Sequence, residues 1–249
     1  MKQTRLLMGM PITVEVIDPA VSAADFDAVF AYFGWVDDTF SPYKQCSAIT
    51  RLNMGLLTAD QAEPDVQTIL RLAEQTKQET DGYFDIYRDG GCDPSGIVKG
   101  WAIYQAANLL RRRGFERLYI EAGGDIQTYG ANADGSQWRV GIRNPFQPSA
   151  IVRVIYAGDA GIATSGTYIR GDHIYNPKSA TPLQTDIVSL TVIGPDVYEA
   201  DRFATAAFAM GREGITFIAS LPGFEGYQID QTGRATFTRG FERATHAVS

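Results

Sequence analysis

Asp93-Pro94-Ser95-Gly96-Ile97-Val98-Lys99-Gly100-Trp101-Ala102 is the stretch on which the reading of this chain turns. It joins an Asp-Pro turn pair to a Ser-Gly step, one lysine, and apolar residues at helical spacing. Asp93 or Ser95 can cap the helix that follows, and Pro94 suits an early helical position. Ile97, Trp101 and Ala102 then share a buried face. The helix should run to Arg111-Arg112-Arg113 and stop at Gly114, because cations and then glycine suit a helix C-terminus. Free amide groups at its start attract anions, and Lys99 adds a movable positive charge on the first turn. Taken alone, the segment favours a plainer reading: a capped core helix with a solvated lysine.

Upstream, Ile12–Ile17 alternates like a strand. Ser22 with Asp25 resembles a helix start, and Phe26, Val29, Phe30, Phe33 and Val36 mark one helical face. Ser47–Asn53 reads as a short amphipathic segment. Pro64 opens a further helix with Val66, Ile69, Leu70 and Ala73 inward, ending at the Thr80-Asp81-Gly82 turn.

Downstream, Leu118-Tyr119-Ile120 is a strand running into Gly123-Gly124-Asp125. That junction is either a close backbone approach to a ligand or a simple bend. Trp138–Arg143 and Ile151–Tyr156 alternate on either side of Asn144-Pro145, and Gly161–Tyr168 runs into a hydroxyl-rich turn. Ile187–Val192 is another strand. Two helices follow, carrying Ala200, Ala204, Ala207 and Phe208, then Ile215, Phe217, Ile218 and Leu221. Tyr227–Phe237 closes the chain as a hairpin. Helices and strands come in blocks rather than in strict alternation, so the expected class is α+β. Residues 1–249 read as one domain or two intimately packed halves.

Apolar residues make up 45% of the 249, enough for a substantial core. Lysine and arginine number 22 against 29 acids, a net charge of −7, which argues against a broad nucleic-acid footprint. No run approaches a transmembrane span, and no signal peptide or lipobox is visible, so a cytoplasmic protein is expected. Cys46 and Cys92 have no metal-type spacing and read as free, at least partly buried thiols.

Four constellations could carry chemistry. Asp201 and Thr205, four apart on a helix, present oxygen on one face, as a hard cation such as magnesium requires; a solvated pair has the same spacing. Small residues around Thr205 permit close approach by another segment or simply tight packing. Thr164-Ser165-Gly166 offers hydroxyls and a flexible backbone for phosphate or flavin-edge hydrogen bonds, or an ordinary turn. His173 beside it is a candidate for acid–base work, or a structural histidine.

Jointly these segments are more specific. Met8-Gly9-Met10, Phe40-Ser41-Pro42-Tyr43, Thr80-Asp81-Gly82-Tyr83-Phe84-Asp85 and Asp93–Trp101 are followed by Ala122-Gly123-Gly124-Asp125 and Ala163-Thr164-Ser165-Gly166. His173-Ile174-Tyr175-Asn176-Pro177 and Ala200-Asp201 through Thr205 to Met210-Gly211 complete the series. In this order the chain resembles the ApbE family of FAD:protein FMN transferases over nearly its whole length. Asn176 stands where many members have Asp, Val98 where Ala is frequent, and Met10 where Thr is frequent.

The resemblance implies an ApbE-like, T-fold-related α+β architecture of mixed sheets with packed helices. It implies a Mg2+-dependent enzyme that takes FAD as substrate, moves FMN to a threonine hydroxyl of an acceptor flavoprotein, and releases AMP. By that likeness Met10, Tyr83, Ser95, Lys99, Gly124, Asp125, Thr164, Ser165 and Gly166 contact FAD. Asp201 and Thr205 supply metal ligands together with a backbone carbonyl near Val98, and His173 lies near the reacting phosphate. Two other readings keep the same site: Mg2+-dependent hydrolysis of FAD to FMN and AMP, and a flavin-binding module without catalysis.

Overall fold

The computed structural model describes residues 1–88, 90–166, 176–178 and 185–247. Strands β1 (Lys2–Leu7) and β2 (Met10–Val16) form an antiparallel hairpin. Its two-residue turn, Met8-Gly9, has both φ angles positive (52° and 71°), the backbone twist that tight hairpins favour. Helix α1 (Ala23–Phe40) follows, and the Asp25 carboxylate reaches back 2.9 Å to the Ser22 amide as the sequence suggests. The predicted stripe of Phe26, Val29, Phe30, Phe33 and Val36 is buried along its whole length. Each such side chain contributes about 1.5–3 kcal/mol on leaving water, so this face anchors the helix.

Helix α2 (Ala48–Asn53) is capped by Ser47, whose hydroxyl accepts the Thr50 amide at 3.0 Å. Helix α3 (Pro64–Glu79) starts on its proline. After the short hairpin β3 (Tyr87–Arg88) and β4 (Gly91–Cys92) comes helix α4 (Ser95–Arg112), which matches the expected span and ends at Gly114. Strands β5 (Leu118–Ala122) and β6 (Asp125–Tyr129) pair through Gly123-Gly124. Strands β7 (Trp138–Asn144) and β8 (Gln147–Ala157) make a separate hairpin. Strands β9 (Ala160–Gly166) and β10 (Ile187–Gly194) precede helices α5 (Val197–Ala209) and α6 (Gly214–Ser220). Strands β11 (Glu225–Asp230) and β12 (Ala235–Phe237) end the regular structure.

The class is α+β, as expected. The main sheet runs β1-β2-β5-β6-β9-β10-β11-β12, and every described ladder in it is antiparallel, which sharpens the expectation of mixed sheets. Helices α1, α3 and α4 share one core with β2 and β5. The β7–β8 hairpin packs Trp138, Val140, Ile142 and Ile155 against Ile126, Ile162, Tyr227 and Ile229. Helices α5 and α6 cover β9 and β10.

One expectation fails here. Cys46 is exposed rather than partly buried, because it sits in the loop before α2, away from any core face; Cys92 is buried. Strand β1 has no signature in the sequence, because it is mostly exposed and its burial does not alternate. Among the described residues no helix is long and apolar enough to cross a membrane.

Candidate functional site

Two chain reversals and the end of β9 place the site at one end of the main sheet. The β1–β2 turn and the β5–β6 turn lie side by side, because β2 pairs with β5 from Ile12 opposite Ala122. Gly123 and Gly124 have φ of 60° and 96°, which a two-residue turn of this kind demands and which side chains resist. The end of β9 closes the row, since the Thr164 amide donates to Asp125 Oδ1 at 3.1 Å. Over this edge lie the first turns of α4 and the middle of α5. Together they enclose a cavity of about 1050 Å3, just above the ~300–1,000 Å3 found for small-molecule sites.

Most predicted positions meet there. Met10, Tyr83, Ser95, Val98, Lys99, Gly124, Thr164, Ser165, Gly166, Asp201 and Thr205 all line the cavity. Asp125 does not: it is fully buried beneath the lining, where its Oδ2 is ion-paired to Lys99. His173 lies outside the described residues. The Asp93 carboxylate accepts the Ser95 amide at 3.0 Å, so Asp93 rather than Ser95 steadies the start of α4. Thr164 and Thr191 hydroxyls stand 2.8 Å apart, so the Thr164 side chain is already engaged with β10. The Tyr83 ring carries the Lys178 ammonium 4.4 Å from its centre, and that ammonium also donates to Asp81 at 2.7 Å.

The centre of the site is a buried charge cluster. Asp201 is 3% exposed, so the alternative of a solvated Asp–Thr pair does not hold. Its Oδ2 accepts the Gly100 amide at 2.9 Å, and its Oδ1 faces Lys99 Nζ at 3.5 Å. Lys99 itself is only 15% exposed, so the solvated-lysine reading fails as well. Burial drives the Asp201 carboxyl up to about 7. The Lys99 ammonium opposes this, the Asp125 charge adds to it, and the Gly100 amide lowers it again. Helix α4 can approach α5 this closely because residue 100 is glycine. A Cβ there would stand 2.7 Å from the Asp201 Cβ and 2.8 Å from the Val197 carbonyl oxygen.

Among the described residues no three His, Cys, Asp or Glu side chains gather as a metal centre. The donors on offer are the Asp201 carboxylate, the Thr205 hydroxyl and backbone carbonyls of the first turn of α4, where Val98 lines the cavity. An all-oxygen set suits Mg2+, which keeps several waters and takes few protein ligands. Two carboxyl groups, Asp125 and Asp201, face the single ammonium of Lys99, an arrangement that a further cation suits. Gly96 lies against Thr205: a Cβ on it would stand 3.5 Å from the Thr205 methyl group, which brings the start of α4 onto the same spot.

Several lining residues escaped the sequence reading: Arg139 and Arg143 on β7, Tyr119 and Glu121 on β5, and Arg88. The alternation of β7 was legible, with Trp138, Val140 and Ile142 buried and Arg139 and Arg143 on the other face. Alternation does not say that this second face borders a cavity, because only the placement of the hairpin against β5 decides that.

The ApbE family model matches residues 8–89 and 88–227. The FAD:protein FMN transferase of Vibrio cholerae is 36% identical over 130 residues, covering 49% of this chain and 39% of that protein. That of Escherichia coli K12 is 31% identical over 150 residues, covering 57% and 43%. The chain thus spans about two fifths of the length of these curated relatives. The fold is similar to the flavin transferase ApbE of Vibrio cholerae, with a TM-score of 0.86 at 23% identity and 98% of both chains covered. It is equally similar to the ApbE protein of Thermotoga maritima, with a TM-score of 0.86 at 19% identity and 99% of both chains covered. With the family model matched along most of its length, the chain belongs to the ApbE family.

Proposed function

We propose that the protein is a Mg2+-dependent FAD:protein FMN transferase, which moves FMN from FAD to a threonine hydroxyl of an acceptor flavoprotein and releases AMP. The observation that carries this reading is the convergence of the oxygen donors Asp201 and Thr205, the largely buried Lys99, two backbone reversals and the end of β9 on one large cavity. The relatives' names point the same way.

In the reaction the acceptor hydroxyl oxygen bonds to the phosphorus of the FMN half. The bond from that phosphorus to the bridging oxygen breaks, and AMP leaves with that oxygen while the hydroxyl gives up its proton. A bound Mg2+ would neutralise charge on the pyrophosphate oxygens. Asp201, Thr205 and the carbonyl of Val98 would hold it. The chain's own residues do the rest. The Gly123-Gly124 turn and the end of β9 let backbone approach the substrate closely. Tyr83, Met10 and Ser95 line its walls. The enclosing walls hold the two reactants in line, which is where most of the gain in such a transfer arises. His173 is the proposed proton acceptor.

The test mixes protein, FAD, Mg2+ and an acceptor bearing a threonine motif, and reads AMP release and covalent flavin fluorescence on a denaturing gel. AMP with a fluorescent acceptor band is the expected result. AMP without a band for every acceptor tried would replace transfer by hydrolysis. FAD binding with neither product would reduce the protein to a flavin-binding module.

A further inference from the structure

We propose that Lys99 is a built-in stand-in for the metal's positive charge: in the metal-free protein its ammonium rests on Asp125 and also covers the approach to Asp201 Oδ1, and Asp125 is the tether that keeps it aside when a divalent cation enters. This rests on the metal reading above.

The geometry divides the four carboxylate oxygens of the cluster by role. Asp201 Oδ2 is engaged by the Gly100 amide at 2.9 Å, which leaves Oδ1 as the oxygen open to a cation, and Oδ1 is the atom that faces Lys99 Nζ at 3.5 Å. Asp125 Oδ1 is engaged by the Thr164 amide at 3.1 Å, which leaves Oδ2 for the same ammonium. Lys99 is therefore shared between a cavity-lining carboxylate and a fully buried one. Buried carboxylates are tolerated only when paired. With no metal present, Lys99 compensates Asp201 and keeps α4 and α5 together. A dication at Asp201 Oδ1 and an ammonium a few ångströms away repel each other strongly at the effective dielectric of such a site. The ammonium already rests on Asp125 Oδ2, so it can give up its longer 3.5 Å contact with Asp201 Oδ1 without losing a partner. Asp125 is thus a positioning residue that lowers the cost of metal entry, although it is not itself a ligand.

Asp125→Asn tests this with little change of shape, because the amide oxygen can still accept from Thr164. Deprived of its tether, Lys99 should settle on Asp201. Calorimetric titration of the FAD-free protein with Mg2+ alone, at one fixed pH, should show affinity weakened about tenfold or more. The double variant Asp125→Asn/Lys99→Met removes the competitor and should recover affinity to within about threefold of the unsubstituted protein, since both clusters then carry the same net charge. A merely structural role for the pair would make the double variant bind no better than the single one, and that result overturns the inference. Unchanged Mg2+ affinity in Asp125→Asn overturns it too. Absence of any Mg2+ binding by the unsubstituted protein overturns both the inference and the metal reading, whereas normal binding in every variant overturns the inference alone.

Discussion

Gly100→Ala tests the packing that creates the site. The new methyl carbon would stand 2.7 Å from Asp201 Cβ, 2.8 Å from Val197 O and 3.0 Å from Asp201 Oδ2. Carbon atoms in contact prefer about 3.5–4.0 Å, so α4 and α5 must part by roughly 1 Å. Overpacking of this kind costs about 1–3 kcal/mol. Parting the helices also weakens the 2.9 Å bond from the Gly100 amide to a buried carboxylate, worth about 1.5–3 kcal/mol. Against this, alanine is about 1 kcal/mol better than glycine inside a helix. The net loss is about 1.5–5 kcal/mol, or about 3–20 °C in melting temperature for a chain of this size. Asp201 moves with α5, and a displacement of this order costs about 100-fold in turnover. The assays are thermal unfolding of the metal-free protein and Mg2+-dependent AMP release from FAD. A variant that melts within about 1 °C of the parent and turns over within about twofold would refute the claim that this contact holds Asp201 in place.

Further expectations concern single residues. The Asp201 carboxyl titrates higher in the folded chain, at about 7, than its ordinary value of 3.8, so the folded state takes up a proton first. Stability of the metal-free protein should rise as pH falls through 7 and level off near 4. Denaturant midpoints at several pH values should show this rise, and Asp201→Asn should flatten it. Thr205→Val should lower Mg2+-dependent turnover about tenfold or more while Thr205→Ser retains most of it, as loss of one hard oxygen ligand predicts; equal activity in both would remove Thr205 from the ligand set. Arg202 is buried and ion-paired to Glu79 and Glu199. Arg202→Met should destabilise by about 1.5–3 kcal/mol, because half-buried Glu199 then loses its charged hydrogen-bond partner. Urea unfolding checks this, and a shift below about 1 kcal/mol would show that the acids rehydrate freely.

The elements of this protein are largely written in local sequence. The α1 stripe, the proline that starts α3, the glycine that ends α4 and the alternation of β7 and β8 each follow from contacts within a few residues, where periodicity and turn chemistry act directly. The family order of motifs also named most of the cavity lining, because those segments are short and chemically distinctive.

What the chain does with Lys99 is not written locally. Its partners lie on β6 and α5, and the α4–α5 contact joins Gly100 to Asp201 across 101 positions. Sequence therefore determined which residues could bear charge, cap helices and line strands. Only the tertiary structure decided that Asp125 is buried against Lys99 rather than presented to the cavity, that Asp201 is a desolvated carboxylate rather than a solvated one, and that the arginine face of β7 borders the site. The physical reason is that burial and pairing depend on which elements pack together, and periodicity within one element fixes its faces without fixing its neighbours.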